Sequence, residues 1–395
     1  MPQNSTNTKR SHGWMGIHRG HQARPVERIF EWLIFGVSFS TIGIVFLIFV
    51  FVGKEALPVV FGRENSAAIK EVLPAADIDK IAPEQLRAYL GLTSTQFKEM
   101  DKETLVSLMQ VREEALAELP ENVRNDKDAR LNTAQWRYLV GPHQWTGYDK
   151  PEYIWQPVGN IHKYNVIPLI VGTLKTTLVG LLFAVPLALG AAIYVSQLAR
   201  PRLKEWIKPG IELLSGIPSV VMGTFALLVM ATFLQKVFGY EVRLNAFVAG
   251  IALGLAVIPL VFSIAEDALT SVPRSYSQAA LALGASKWQA AYQVVLPSAL
   301  PGVFAAVVLG FGRAIGETMI VLLVCSASVM SWSVFDSARS ITTTIAAEMA
   351  EAVAGGHHYR ILFLLGALLF AVTFITNLIG DVVIHHCKAK LEGKR

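Results

Sequence analysis

Six long apolar segments constrain how this chain can fold more than any other feature of its sequence. Each is about 20 residues or longer, the length that an α-helix needs to cross the hydrocarbon core of a bilayer. Only 16% of the residues are charged, whereas roughly 25% is usual in soluble domains. We therefore expect an all-α integral membrane protein with six transmembrane helices, at about Ile29–Val52, Ile167–Leu198, Gly210–Leu234, Ala246–Ala265, Pro301–Val324 and Ile361–Ile384.

Two of these segments need separate comment. The first is too long for the core of a secretory signal, and no small-x-small cleavage site follows it. This favours a retained membrane helix over residues 29–53. The second is longer than a single crossing requires, and Pro186 is predicted to break it.

Lysine and arginine residues near the spans indicate the orientation of the chain. They are concentrated in the tail 1–28, in the loop after the second span and in the tail 387–395. With six spans these regions lie on one side of the membrane, together with the loop 268–300, and their charge predicts that this side is the cytoplasm. We expect a multi-pass protein of a bacterial inner (plasma) membrane with both termini in the cytoplasm. The net charge of +5 then reflects topology and does not indicate nucleic-acid binding.

Residues 54–165 differ in composition from the apolar segments, with 14 basic and 17 acidic residues. Mixed-sign charge is typical of a solvated surface. We therefore expect a soluble, mostly helical insertion on the side of the membrane opposite the termini. Pro83 is suited to opening one short helix and Asp101 to capping another. The pattern predicts no function for this insertion.

The loop between the fourth and fifth spans contains a helix–turn–helix pattern. Ser275–Leu283 is rich in Ala and Leu, and Gly284 can adopt the left-handed conformation that ends a helix. Ser286 and Gln289 have the spacing of a capping box for a second helix, which the Leu-Pro pair that follows is predicted to end. Such a compact, apolar unit can be a docking element or an ordinary amphipathic helix at the membrane interface.

This loop resembles the EAA loop of ABC importer permeases, which forms the coupling helix that fits a cleft on the ATPase subunit. Gln278 departs from the family's usual glutamate, which keeps size and hydrogen bonding but loses the charge. The resemblance implies the ABC type I importer permease fold for residues 166–386, and Pro301 also matches. The coupling residues it implies are Gln278, Ala279, Ala280, Gly284, Ala285, Ser286, Leu296 and Pro297.

Four further stretches resemble the phosphate-specific permeases PstC and PstA, and PstC more closely. They begin at Pro168, Glu212, Leu244 and Gly310, and the resemblance covers roughly residues 166–384. It implies a subunit that imports inorganic phosphate as a heterodimer with a related permease, two ATPase subunits and an extracytoplasmic phosphate-binding protein. The chain itself lacks the G-x-x-x-x-G-K-[ST] pattern of a P-loop. ATP and Mg²⁺ are therefore expected on the separate ATPase, with no cofactor and no catalysis in this chain.

Arg313 and Glu317 are charged residues within the predicted fifth span. Charge is costly there and usually faces a protein interior or a water-filled path. Four residues apart on a helix, the two would share one face and could pair. Because arginine presents a planar fork of donors suited to phosphate oxygens, we predict that Arg313 lines the translocation path and that Glu317 tunes it. The alternative is a structural ion pair. Gly312 and Gly316 have the spacing that lets another helix approach.

The other polar residues near the membrane are assigned structural roles. Lys175, near the outer end of the second span, is expected to snorkel towards water. Glu266 and Asp267 are expected at a solvated end of the fourth span. Cys325 and Cys387 are predicted on opposite sides of the membrane and so cannot form a disulfide with each other. Adjacent histidines point in different directions on a helix, so no metal site is predicted at His357, His358, His385 and His386.

Other functions also fit parts of the pattern. An importer of another oxyanion, such as sulfate, molybdate or tungstate, would have the same coupling loop. A membrane receptor or scaffold could sense a ligand through residues 54–165 without transport, although it would not need a loop that docks an ATPase. A secondary transporter is disfavoured as well, because no inverted repeat or paired set of broken helices is evident in the sequence.

Overall fold

The computed structural model describes residues 25–67, 78, 81–90, 92, 97, 100–117, 121, 125–325 and 330–391. Within them, six helical stretches are long and apolar enough to cross a membrane. The predicted all-α, six-span membrane fold is thereby confirmed. We number the stretches spans 1 to 6: Phe30–Val60, Ile167–Leu198, Ser219–Phe238, Ala246–Thr270, Lys287–Ile315 and His357–His386.

Span 1 belongs to α1, which extends over Pro25–Val60. The chain forms two compact units, residues 1–51 and 52–395, and α1 continues from the first into the second. Within the first unit the large apolar side chains of α1 are exposed along the helix. A helix that is apolar all round is typical of a membrane span.

Short elements make up the insertion between spans 1 and 2. The helices predicted at Pro83 and after Asp101 are present, and Asp101 Oδ1 accepts a hydrogen bond from the Thr104 amide at 3.2 Å. Two strands pair antiparallel, with Trp155 opposite Tyr164. In chain order the elements are α2 (Pro83–Leu90), α3 (Lys102–Ala117), a 3₁₀ turn (Lys127–Arg130), α4 (Trp136–Val140), β1 (Trp155–Gln156) and β2 (Lys163–Tyr164).

Span 2 consists of α5 (Ile167–Ile193) and a π-turn (Tyr194–Leu198). The prediction that Pro186 breaks this span is wrong, because α5 continues through it. Proline is tolerated in membrane helices where neighbouring groups and local adjustments satisfy the carbonyl that it leaves free.

Span 3 begins later than predicted. Residues Pro201–Ser215 form a separate helix, α6, and the span starts at Ser219 rather than near Gly210. Pro218 lies between the two helices in an extended conformation, with ψ 139°. Proline lacks an N–H group, and the residue before it avoids the helical region. The span itself consists of α7 (Ser219–Phe225), a π-turn (Ala226–Met230) and α8 (Ala231–Phe238).

The helix that enters span 5 does not end at Leu296 and Pro297 as predicted. A π-turn carries it onward, with the Leu296 amide bonded to the Ala291 carbonyl. The shift in the hydrogen-bond ladder comes immediately before Pro297, and proline is tolerated in a first helical turn. The remaining elements are α9 (Ala246–Thr270), α10 (Arg274–Ala282), α11 (Lys287–Ala290), a π-turn (Ala291–Val295), α12 (Leu296–Ile315), α13 (Met319–Val324), α14 (Ile341–Glu348) and α15 (His357–Leu391).

Spans 2 and 4 approach each other closely at glycine. A Cβ atom at Gly254 would lie 2.8 Å from the Gly180 carbonyl oxygen, and one at Gly250 would lie 2.5 Å from the Val179 side chain. Small residues let membrane helices come this close, which strengthens their van der Waals contact. The pair therefore forms a tight two-helix core for the membrane domain.

Span 5 also packs against span 4 through glycine. A Cβ atom at Gly302 would lie 2.4 Å from the Ala268 side chain, and one at Gly310 would lie 2.6 Å from the Val261 side chain. At Gly312 an added Cβ atom would lie 3.8 Å from Asn377 Oδ1 of span 6, an ordinary contact rather than a close approach. Among the described residues, the close contact of this part of span 5 is made two residues earlier, at Gly310.

Candidate functional site

The predicted helix–turn–helix is present between spans 4 and 5. Helix α10 ends at Ala282, and Gly284 has a left-handed φ of 88°. The Ser286 hydroxyl accepts a hydrogen bond from the Gln289 amide at 3.2 Å, while the Gln289 side chain accepts one from the Ser286 amide at 2.8 Å. The glycine turn and the capping box are confirmed, and together they fix the angle between the two short helices. We call residues 271–290 the coupling loop.

The coupling loop presents an apolar surface that no described residue of the chain covers. No residue of α10 is buried, and Leu283 is 90% exposed. Trp288 and Tyr292 are both exposed and stack with their ring centroids 6.2 Å apart. Exposed apolar patches of this kind mark interaction sites. The predicted coupling residues lie in or just beyond this surface, exposed at Gln278, Ala279, Gly284, Ser286 and Pro297 and half-buried at Ala280, Ala285 and Leu296.

The predicted fifth span, Pro301–Val324, is interrupted beside its two charged residues, because span 5 ends at Ile315. Helix α12 ends at Ile315 with Gly316 as its cap, and α13 begins at Met319. The Arg313 side chain is exposed in the last turn of α12, whereas Glu317 is half-buried in the break. The shared helical face predicted for Arg313 and Glu317 is therefore wrong, because the helix ends between them.

Arg313 makes no salt bridge with any residue that the structure describes. A charged residue in a span that has no partner in its own chain faces water, a ligand or another subunit, since lipid is far less favourable. The described residues of this chain thus supply no partner for a structural ion pair between helices at Arg313, and its place on a translocation path stays a prediction.

A polar seam that the sequence did not reveal surrounds the break. The Glu317 carbonyl accepts a hydrogen bond from the Thr342 hydroxyl at 3.0 Å, and the Ile341 amide donates to the Thr173 hydroxyl at 3.0 Å. Ser340 caps the same helix, α14, through a capping box. The seam thus ties the backbone of the break to α14 and span 2. The only local signal was a Ser-Ile-Thr-Thr-Thr run, which is common in ordinary polar segments.

Lys175 is buried and does not snorkel as predicted. Its side chain donates hydrogen bonds to the carbonyl oxygens of Ser331 at 3.0 Å and Ser333 at 2.7 Å. A buried ammonium group is stable only when its hydrogen-bonding needs are met. Lys175 therefore anchors the segment that joins span 5 to α14.

The prediction of a solvated Glu266 is also wrong. This residue is 1% exposed, and its carboxylate accepts hydrogen bonds from Lys204 Nζ at 2.6 Å, Lys208 Nζ at 2.8 Å and the Thr270 hydroxyl at 3.1 Å. We call these four residues the Glu266 clamp. The hydrogen bond to Glu266 raises the pKa of Lys208. Asp267, in contrast, is exposed as predicted.

In the insertion, Asp128 organises a polar cluster. Its carboxylate accepts hydrogen bonds from the Thr146 amide at 2.7 Å and from His143 Nε2 at 3.1 Å. Burial raises the pKa of Asp128, but the hydrogen bonds lower it by more than burial raises it. The pKa therefore lies below the usual aspartate value. A pocket of about 220 Å³ lies beside this cluster, and Lys163 enters it across the Trp145 ring.

Glu348 joins the insertion to the membrane domain. Its carboxylate accepts hydrogen bonds from Trp155 Nε1 at 3.1 and 3.2 Å, pairs with Arg339 at 3.0 Å and lies 3.5 Å from His358 Nε2. Burial raises the pKa of Glu348 against the opposing effects of Trp155 and Arg339. Among the described residues no group of three or more His, Cys, Asp or Glu side chains is arranged to hold a metal ion.

Comparison with known proteins places this geometry in a family. Residues 168–390 match the family described as binding-protein-dependent transport system inner membrane component. The chain is 35% identical over 222 residues to the probable ABC transporter permease protein YqgH of Bacillus subtilis, covering 56% of this chain and 72% of that protein. It is 34% identical over 256 residues to the phosphate transport system permease protein PstC of Mesorhizobium japonicum, covering 60% and 77%. Among solved structures, the inward facing MetNI methionine ABC transporter matches with a TM-score of 0.44 and 18% identity, over 56% of this chain and 94% of that chain.

The matched residues include spans 2 to 6, the coupling loop and the break that follows span 5. The chain therefore belongs to the family of binding-protein-dependent inner membrane transport components, which are ABC transporter permeases. The resemblance to PstC-like permeases that the sequence predicted is confirmed. The insertion between spans 1 and 2 lies outside the matched residues.

Proposed function

We propose that this chain is the permease subunit of an ATP-driven importer that carries inorganic phosphate across a bacterial inner membrane. The observation that carries the proposal is Arg313, exposed and without an ion-pair partner among the described residues, beside a break in a span of a PstC-like permease. Its guanidinium offers several donors in one plane, a geometry that suits phosphate oxygens. Glu317, in the break, adjusts the charge along the path.

The coupling loop transmits the energy of ATP in this proposal. Its exposed apolar surface docks onto a separate ATPase subunit, which holds ATP and Mg²⁺ and hydrolyses the nucleotide, so that this chain is not itself an enzyme. Closure of the ATPase pair shifts the permease between two arrangements that open to opposite sides. Nucleotide can do this only if it binds one arrangement more tightly than the other.

The partners follow from the same proposal. A related permease completes the pathway as a heterodimer, two ATPase subunits bind the coupling loops, and an extracytoplasmic phosphate-binding protein delivers the substrate. Both termini and the coupling loop lie in the cytoplasm, in agreement with the basic residues of the tails and of α6. The insertion then faces the outside, where the binding protein docks.

Uptake of radiolabelled phosphate tests the proposal. Cells that lack the chain receive the wild type, Arg313→Ala, Arg313→Lys or Arg202→Ala, an exposed arginine of α6 that serves as the control. We expect wild type and Arg202→Ala to restore uptake, Arg313→Ala to abolish it and Arg313→Lys to restore it in part, because lysine keeps the charge without the planar fork. Normal uptake by both assembled Arg313 variants would remove the residue from the path.

Competition separates phosphate from other oxyanions. Excess unlabelled phosphate should block uptake, while sulfate, molybdate and tungstate should not. If uptake of phosphate did not depend on the chain, the substrate would be another oxyanion or the chain would be a receptor or scaffold. Co-purification with an ATPase distinguishes either importer from a receptor or scaffold, which has no need of that subunit.

A further inference from the structure

The Glu266 clamp lies where the coupling loop joins the membrane domain. Glu266 and Thr270 are in the last turns of α9, and only residues 271–273 separate this helix from α10. So short a link transmits a displacement of α10 to the end of span 4. Whatever is fixed to the end of span 4 therefore moves with the coupling loop.

The clamp fixes α6 to that end. Lys204 and Lys208 are one turn apart on α6 and both reach the same carboxylate. On the same helix, Ile207 and Ile211 pack against the membrane core. Charge-assisted hydrogen bonds to a shielded carboxylate are stronger than neutral ones. Helix α6 is thus attached to the membrane domain in two ways, by the polar contacts of the clamp and by the apolar contacts of Ile207 and Ile211.

Helix α6 leads directly into span 3, because only residues 216–218 separate them. Span 3 in turn packs against α13: a Cβ atom at Gly223 would lie 3.2 Å from Ile320 Cα and 2.8 Å from Leu323 Cδ1. Helix α13 follows span 5 on the other side of the break. A continuous series of close contacts therefore runs from the coupling loop through the clamp, α6 and span 3 to the break.

We infer that Glu266 is a positioning residue that couples movement of the coupling loop to span 3 and, through span 3, to the break beside Arg313. The inference rests on the proposed function for its transport readout, but its structural part does not depend on the substrate. Replacing Glu266 by glutamine keeps the size of the side chain and removes its charge. Lys204 then loses its carboxylate partner and Lys208 keeps only the longer contact to the exposed Asp267 at 3.6 Å, so the attachment of α6 to the end of span 4 is weakened.

The test measures phosphate transported per ATP hydrolysed by the complete importer in proteoliposomes. Glu266→Gln is compared with Glu205→Gln, which makes the same change of charge at an exposed position of α6. We expect Glu266→Gln to lower the ratio about tenfold, within the usual range of coupling between sites, while ATP hydrolysis continues. Glu205→Gln should leave the ratio unchanged. Lys208→Gln, which keeps one lysine of the clamp, should give an intermediate ratio. It also provides the test of the clamp if Glu266→Gln does not assemble.

A distance measurement distinguishes failure of the clamp from failure of the proposed function. Spin labels at Glu205→Cys on α6 and Ser271→Cys beyond span 4, with Cys387 replaced by serine, report whether the two elements move together on ATP binding. We expect one narrow distance in the wild-type background and a broad distribution with Glu266→Gln. If transport and hydrolysis fell in parallel, or the distance stayed narrow in the variant, the inference would be overturned. A wild type that does not transport phosphate would contradict the proposed function, and the distances alone would then decide the inference.

Discussion

Gly284 allows the backbone strain of the coupling loop to be tested without steric interference. Its φ is 88°, and a Cβ atom added there would meet nothing within 4 Å. Gly284→Ala therefore introduces only the cost of the left-handed conformation, about 1–2 kcal/mol for a residue with a Cβ atom. That cost makes local opening of the turn roughly 5 to 30 times more frequent. Gly284→Asn should cost less, because asparagine enters this region more readily.

Gly284→Pro should have the largest effect of the series. Proline cannot adopt a positive φ and removes the amide that donates to the Leu281 carbonyl at 3.0 Å. The two short helices could not then keep their relative angle. We expect the stably inserted proline variant to bind the ATPase weakly and to support no uptake.

Hydrogen exchange provides the measurement. The Ala285 amide donates to the Ala280 carbonyl at 3.1 Å across the turn, so its exchange rate reports opening. We expect the rate to rise in the order wild type, Gly284→Asn, Gly284→Ala, Gly284→Pro. Gly355→Ala is the control, because that glycine also has a positive φ and open space but lies outside the loop. Equal rates in wild type and Gly284→Ala would refute the argument that strain at this residue matters.

Three further predictions concern stability. Gly172→Ala should lower the free energy of unfolding in detergent by about 1–3 kcal/mol, because its Cβ atom would lie 2.2 Å from the Arg339 carbonyl oxygen. The control is Gly190→Ala, which should leave the free energy of unfolding unchanged because its Cβ atom would meet nothing within 4 Å. Lys175→Ala should cost about 1–3 kcal/mol in the same assay by removing two hydrogen bonds; an unchanged melting temperature would show that the anchor is dispensable. Asp128 has a lowered pKa in the folded protein, so its stabilisation is present above the unfolded pKa and lost as the pH falls through the folded value. Asp128→Asn should therefore raise the amide exchange rate in the insertion at pH 7 and make the stability of the insertion depend less on pH in the acid range. Identical pH profiles of exchange in the wild type and the variant would contradict this.

Local patterns accounted for much of what the sequence predicted correctly. The turn at Gly284 and the capping box of Ser286 and Gln289 depend on residues that are neighbours in sequence. Spans 1 to 6 follow from apolar length, which the bilayer imposes directly. The start of span 3 was wrong because an amphipathic helix and the span after it form one apolar run that only Pro218 interrupts.

Long-range pairing accounts for the other errors. Glu266 is buried because Lys204 and Lys208 reach it from 62 and 58 residues away. Lys175 is held by carbonyl groups more than 150 residues further along the chain. No periodicity within one segment contains such information. The break at Gly316 was missed for a related reason, because glycine is common inside membrane helices as well as at their ends.

The π-turns of spans 2, 3 and 5 have a consequence for how these helices can change. A π-turn closes its hydrogen bond over five residues instead of four and therefore holds one residue more than an α-turn. Removing one residue from Ala291–Val295 would let the helix close as a regular α-helix while leaving both flanking stretches in phase with their neighbours. Single-residue deletions should accordingly be tolerated within these turns and disruptive a few residues away, where they would rotate every later side chain about the helix axis. The spans thus contain places where their length can vary without loss of their contacts.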